Sequence, residues 1–310
     1  MNEPRTRRQM WRLGCALLVA LAFVVGAVLE SGAQGPRKMR ESFATGQEVV
    51  PAYEGWEPNP DGSFNLVFGY FNRNWEEEID IPPGPDNRLE PGAPDQGQPT
   101  HFLPRRNRFL FRIRVPADFG DSEVVWTLTS PNGETKRAYA TLHPDYYIDN
   151  SVIMANSGGG VSGEIYKNQP PELTVDGRLT RTVKVGQPVD LVAHATDDGL
   201  PEPRPMRRFN PARRPVNVTP NAASGLRLSW FVYRGAGEVV FDPPQFKAWE
   251  DTRNNADSPY SPGWKTPPAP PDGKWAVQAT FSEPGTYVLR SLAHDGGLLA
   301  AEDVTFVVNP

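Results

Sequence analysis

The 34 prolines and 28 glycines of this chain limit what it can fold into more than any other feature. Proline removes a backbone donor and glycine resists a fixed conformation, so helices are broken before they grow long. Between the breaks lie short runs rich in Val, Thr, Phe, Tyr and Trp, residues that suit a pleated, half-buried surface. The pattern predicts an all-β protein of many short strands joined by turns. Its 310 residues are enough for two domains, each with its own core.

The first residues form a separate unit. Arg5, Arg7, Arg8 and Arg12 precede an uncharged apolar run from Leu13 to Leu29, and Ser31-Gly32-Ala33 follows. A basic flank, an apolar run and a small-x-small site make up a secretory signal peptide, 1–33, with cleavage expected after Ala33. The 17 residues of the run are also near the minimum for crossing a bilayer, so an uncleaved anchor is the alternative. Either way the body is expected outside the cytoplasm: periplasmic, cell-surface or extracellular. Membrane contact is expected only through this segment, if it is uncleaved.

Charge and cysteine narrow the chemistry. The net charge is −5, and residues 1–33 hold four arginines and two glutamates, so the remainder is two charges more negative. An acidic body argues against nucleic acid as a partner, because phosphate binding needs a basic face. Cys15 lies inside the apolar run and is the only cysteine. A cleaved protein would therefore have no disulfide, no thiolate nucleophile and no cysteine-bound zinc. The chain lacks a GxSxG elbow, a P-loop and a dinucleotide fingerprint.

Residues 34–48 are polar and aperiodic and read as a linker. An N-terminal sandwich-like domain is expected over 49–148. Strands are expected at 63–71, 76–81, 109–115, 123–129 and 136–142, with a long loop from Pro82 to Pro104. Asn132-Gly133 marks a hairpin. Residues 149–169 read as a Gly-rich linker around Gly158-Gly159-Gly160, and the apolar Val152-Ile153-Met154 before it is expected to dock on the first domain. Over 170–310, seven or eight short strands with turn signals between them predict an immunoglobulin-like β-sandwich. It is interrupted by insertions at 200–224 and 242–273. The fold class expected is all-β, two immunoglobulin-like sandwiches in tandem.

Several segments of the second domain fall in a familiar order: Pro170-Pro171-Glu172-Leu173-Thr174-Val175, Val185-Gly186-Gln187-Pro188-Val189, Ala195-Thr196-Asp197-Asp198-Gly199, Leu228-Ser229-Trp230, Pro284-Gly285-Thr286-Tyr287 and His294-Asp295-Gly296-Gly297. In this order they resemble PKD-type and related bacterial immunoglobulin-like repeats. The resemblance covers about residues 170–309 and implies a sandwich used for spacing or adhesion at a cell surface. The N-terminal half, with Phe68-Gly69-Tyr70-Phe71-Asn72 and Gly97-Gln98-Pro99-Thr100-His101, is similar to segments of exported bacterial β proteins to which no function is attached.

Four groups of residues are candidate sites. Asp197, Asp198 and Asp295 could converge at one end of the sandwich and hold Ca²⁺, which favours carboxylate oxygens; the alternative is that they shape their own Asp-Gly turns. Trp249, Tyr260 and Trp264 could stack on sugar rings, or fold back over the sandwich. Arg207, Arg208, Arg213 and Arg214 could bind an acidic partner, or line a solvated loop. Glu76, Glu78, Asp80 and His101 could form a hydrolytic site, or a solvated strand edge. His143, His194 and His294 lack metal-ligand spacing. The function expected is an exported non-enzymatic surface protein for adhesion, spacing or assembly, with protein or glycan partners. A carbohydrate-binding module and an unrecognised hydrolase are the alternatives.

Overall fold

The computed structural model describes residues 43–158, 166–208 and 221–310. The export segment, most of the linker 34–48, Gly159 and Gly160, and Arg213 and Arg214 lie outside the described residues.

The first sandwich is built from β1 (Val49–Pro58), β2 (Phe64–Asn72), β3 (Ile79–Asp80), β4 (Asn87–Glu90), β5 (His101–Phe102), β6 (Arg105–Val115), β7 (Val124–Thr129) and β8 (Thr135–Ala140). One sheet has the order β1-β2-β6 and the other β4-β7-β8, with β3 and β5 as a small ribbon. The period-2 pattern of β6 works as expected. Phe109, Phe111, Ile113 and Val115 are buried, while Arg112 and Arg114 point outward and pair with Glu57 and Asp61. Trp126 is fully buried at the centre of the core, edge-on to Phe111 at 4.9 Å and Phe68 at 6.0 Å. Its indole N–H donates to Asn87 Oδ1 at 3.0 Å. The amide of Asn87 in turn donates to the carbonyls of Ile81 and Pro99, at 2.8 Å each. A buried amide with its hydrogen bonds made fixes the loop around it. The expected loop Pro82–Pro104 therefore contains two short strands, β4 and β5. β1 is a further strand beyond those expected.

The second sandwich comprises β9 (Glu172–Val175), β10 (Thr180–Lys184), β11 (Val189–Thr196), β12 (Arg227–Arg234), β13 (Val239–Asp242), β14 (Lys274–Phe281), β15 (Gly285–His294) and β16 (Leu299–Asn309). The sheets run β13-β14-β11-β9 and β10-β16-β15-β12. These are the D-E-B-A and G-F-C sheets of an immunoglobulin fold, with β10 added alongside β16 in parallel. Tyr287, near the start of β15, donates its hydroxyl to the Glu283 carbonyl at 3.1 Å, the tyrosine corner of such folds. Trp230 lies buried on β12, in the position of the core tryptophan of strand C.

β12 is buried along nearly its whole length, and its two faces serve different cores. Leu228, Trp230 and Val232 fill the second sandwich. Phe231 and Tyr233, on the opposite face, join the core of the first. Residues 43–310 consequently pack as one unit. The segment read as a Gly-rich linker opens with a helix, α1 (Asn150–Ser157). Asp149 caps it by accepting from the Val152 N–H at 3.0 Å, and Gly158 ends it at φ 101°, where a side chain is disfavoured. Ile153 and Met154 pack against Val67 and Phe109 of the first sandwich and Leu298 of the second. Residues 43–48 of the other expected linker are tied down as well: Trp75 and Glu76 N–H groups donate to the carbonyls of Phe43 and Ala44. Among the described residues, no helix is long and apolar enough to cross a membrane.

Candidate functional site

Polar side chains gather along the seam between the sandwiches, and an irregularity in β6 brings them there. Between the pairs Phe68–Phe111 and Tyr70–Asn107, β2 advances two residues while β6 takes four. The extra residues re-aim the side chains, as bulges do. Arg105 and Phe109 both adopt left-handed backbone, at φ 59° and 50°, which is rare for large side chains. Gly69 lies opposite the irregularity. A Cβ there would come 2.4 Å from the Asn107 carbonyl and 2.2 Å from Glu54 Oε1.

Arg106 Nη2 lies 2.7 Å from Glu54 Oε1, and both side chains are largely buried. Arg108 meets Glu250 of the second insertion at 2.8 Å. From the second sandwich, Arg290 binds Asp303 through two nitrogens, at 2.7 and 2.8 Å, and donates to the Leu110 carbonyl at 2.5 Å. Its guanidinium lies 3.6 Å from the centroid of the Tyr233 ring. Arg106, Arg108, Arg290, Tyr260 and His294 line a cavity of about 50 Å³ inside the seam. Burial, followed by the nearby Arg227 charge, holds His294 well below the usual imidazole range, so it is neutral there. Beside this cavity a more open cleft of about 200 Å³ is lined by Phe71, Trp75, Arg105, Arg106, Arg108 and Glu250.

At the far end of the seam, three of the four residues of the hydrolase alternative come together. His101 Nδ1 lies 2.7 Å from Asp80 and Nε2 2.8 Å from Glu78. Glu76 is elsewhere, paired with Arg253 at 2.8 Å. Burial alone would lower the His101 pKa. The hydrogen bonds to Asp80 and Glu78 outweigh it and push the pKa up to about 9. Both ring nitrogens therefore carry protons at neutral pH and neither is free to act as a general base. The arrangement holds β3 to β5. Because the folded pKa lies above the ordinary 6.5, its stabilisation is complete below about pH 6.5 and lost as pH rises through about 9. The stability gap between wild type and His101→Gln, measured by urea denaturation, is expected to be widest near pH 6 and to close by about pH 10. A gap independent of pH would show that the imidazole is not charged.

The other expected sites are arranged differently. Among the described residues, no group of three or more His, Cys, Asp or Glu could hold a metal ion. Asp197 accepts from the Gly199 N–H and Asp198 from the Leu200 and Gln169 N–H groups. Buried Asp295 accepts from Gly297, Leu298 and the Asn168 amide. Each carboxylate accepts N–H groups of its own turn, and Asp198 and Asp295 also tie in Gln169 and Asn168. Tyr260 is buried, Trp249 packs partly against the first core, and Trp264 lies against Phe246 at 5.4 Å while its indole donates to Asp257. The tyrosines that do face solvent are Tyr139, Tyr146, Tyr147 and Tyr166. Arg207 and Arg208 are exposed on the first insertion. The two insertions bond to each other, with Met206 N–H donating to the Trp264 carbonyl and Ala223 N–H to that of Pro259.

The seam arginines and Gly69 were not among the residues singled out from the sequence. The run Arg105-Arg106-Asn107-Arg108 was its visible trace, because three basic residues directly before an alternating strand need partners or solvent.

No family model matches the chain, and no curated protein matches it. Solved structures with a similar course include the titin domains Z1Z2 in complex with telethonin, at 10% identity over 86% of this chain and 98% of that one, TM-score 0.23. The adhesin InvE of Yersinia pseudotuberculosis is 13% identical over 84% of this chain and 58% of its own, TM-score 0.20. The D00-D0 domain of intimin is 10% identical over 84% and 100%, TM-score 0.22. At these scores the likenesses carry no argument about function.

Proposed function

We propose that this chain is an exported, non-enzymatic surface protein acting in adhesion or assembly, and that its second sandwich is of the PKD type. The observation that carries this reading is the seam. Side chains of the kind that could do acid–base chemistry are there engaged in joining two sandwiches. His101 is doubly hydrogen-bonded, Arg106, Arg108 and Arg290 are paired with carboxylates, and Asp295 is capped by backbone N–H groups. The product is a rigid two-sandwich body, suited to holding binding loops in a fixed relation rather than to turnover. The basic flank, the apolar run and Ser31-Gly32-Ala33 support export.

Expression of the full chain in a bacterial host, followed by fractionation and N-terminal sequencing, is expected to recover the body outside the cytoplasm with Gln34 as its first residue. Recovery in the cytoplasm with Met1 intact would overturn the export reading. Turnover of any substrate in a broad hydrolase panel would overturn the non-enzymatic one.

A further inference from the structure

The three arginines that the irregular stretch of β6 sends to the seam have their charges met in different ways. Arg106 is paired with Glu54 and Arg108 with Glu250. Arg105 is held between rings. Its guanidinium lies 4.0 Å from the centroid of Trp75 and 4.7 Å from that of Phe71, and Nη1 donates to the Arg73 carbonyl at 2.9 Å. Among the described residues, no carboxylate comes within the 4.0 Å of an ion pair with it. Glu250 and Asp251 act on it from further away, and both are already engaged, Glu250 by Arg108 and Asp251 by Lys247 and Arg253.

Aromatic faces fix the plane of a guanidinium without neutralising it. Arg105 is thus a charged, oriented fork of donors, half-buried, beside a cleft of about 200 Å³. Its backbone is left-handed at φ 59°. Such conformations cost energy and persist where the surrounding structure enforces them, often at binding sites. Planar forks of this kind receive carboxylate, sulfate and phosphate oxygens in pairs.

We propose that the cleft lined by Trp75, Arg105, Arg108 and Thr252 is an oxyanion-binding site. Its ligand is a single carboxylate, sulfate or phosphate group, either free or carried on an acidic surface polymer. One unneutralised guanidinium suits one anionic group. Phe71 and Trp75 serve to hold Arg105 in place, and Arg108, at the same wall, keeps the Glu250 carboxylate of the cleft neutralised by its ion pair. The site does not depend on the export or adhesion reading, so its failure would leave that reading in place.

The test uses full-length protein labelled with fluorotryptophan, with the Trp75 resonance assigned through Trp75→Phe. Inorganic sulfate and phosphate form one arm and a short oligogalacturonate the other, all at constant ionic strength. A saturable shift of the Trp75 resonance is expected, absent with chloride. Equal binding of the inorganic ions and the oligosaccharide identifies a free anion as the ligand, and tighter binding of the oligosaccharide identifies a polymer-borne one. Arg105→Gln is expected to weaken binding about tenfold or more, the value of one charge-assisted contact. Thr252→Trp on the exposed rim, which leaves β6 intact, is expected to block the cleft to the same extent. A shift that chloride reproduces, or that survives both substitutions in folded protein, would overturn the site.

Discussion

Tyr233→Ala is expected to destabilise the protein by roughly 3–5 kcal/mol and to split its unfolding into two transitions. Tyr233 belongs to β12 of the second sandwich, yet it is 2% exposed and packs in the core of the first. Its hydroxyl donates to the Gly97 carbonyl at 2.7 Å, and its backbone carbonyl accepts from the Thr100 N–H at 3.2 Å. Arg290 covers its ring at 3.6 Å. Truncation removes the ring, opens a cavity at the joint and strips the aromatic face from a buried cation. The loss of apolar burial sets the magnitude, and the position sets the second effect. With the joint loosened, each sandwich keeps its own core and unfolds on its own account. Calorimetry of wild type should show one transition and of the variant two. A variant that kept a single transition with a loss under about 1 kcal/mol would show that Tyr233 does not couple the sandwiches.

Gly69→Ala is expected to cost roughly 3 kcal/mol, large for the addition of one methyl group. Gly69 lies opposite the irregular stretch of β6, and the added carbon would sit 2.4 Å from the Asn107 carbonyl. That atom is backbone, so it cannot swing aside as a side chain can. The Glu54 carboxylate, at 2.2 Å, would also have to leave its place beside Arg106. Two penalties then combine, overpacking in the strand pair and disturbance of a buried ion pair. Denaturant titration monitored by tryptophan fluorescence measures the loss. A change within 0.5 kcal/mol of zero, the range of ordinary surface substitutions, would mean that β2 and β6 separate here without strain.

The second sandwich was legible because its strands obey local rules. Leu191, Ala193 and Ala195 alternate inward along β11, and Gly186 and Gly285 mark turns at strand ends. The first sandwich was legible where alternation ran long, as in β6. It was not legible in β4, where Asn87-Arg88-Leu89-Glu90 contains no β-branched residue and lies among prolines. That strand exists because Asn87 is bonded to Ile81, Pro99 and Trp126, contacts no local pattern records. The seam was hidden for the same reason. Arg108 finds Glu250 across 142 positions, and Tyr233 finds Gly97 across 136. β12 did carry a clue in Trp230-Phe231-Val232-Tyr233. An unbroken apolar run means that both faces of a strand are covered, and a lone sandwich covers only one. The Asp-Gly turns drew attention to a metal because carboxylates look alike on paper whether they bind an ion or a backbone N–H.

The last strand has a mechanical consequence. β16 is hydrogen-bonded on both sides, to β15 over ten register pairs and to β10, in parallel, over five. Tension applied at the C-terminus along β16 therefore meets both ladders in shear. Rungs loaded side by side share the force, whereas rungs loaded from one end peel in succession. β10 sits at the outer edge of its sheet and acts there as a strap, doubling the number of ladders that must fail before the strand slides. A strand gripped in this way can transmit tension into the double sandwich without first unravelling it.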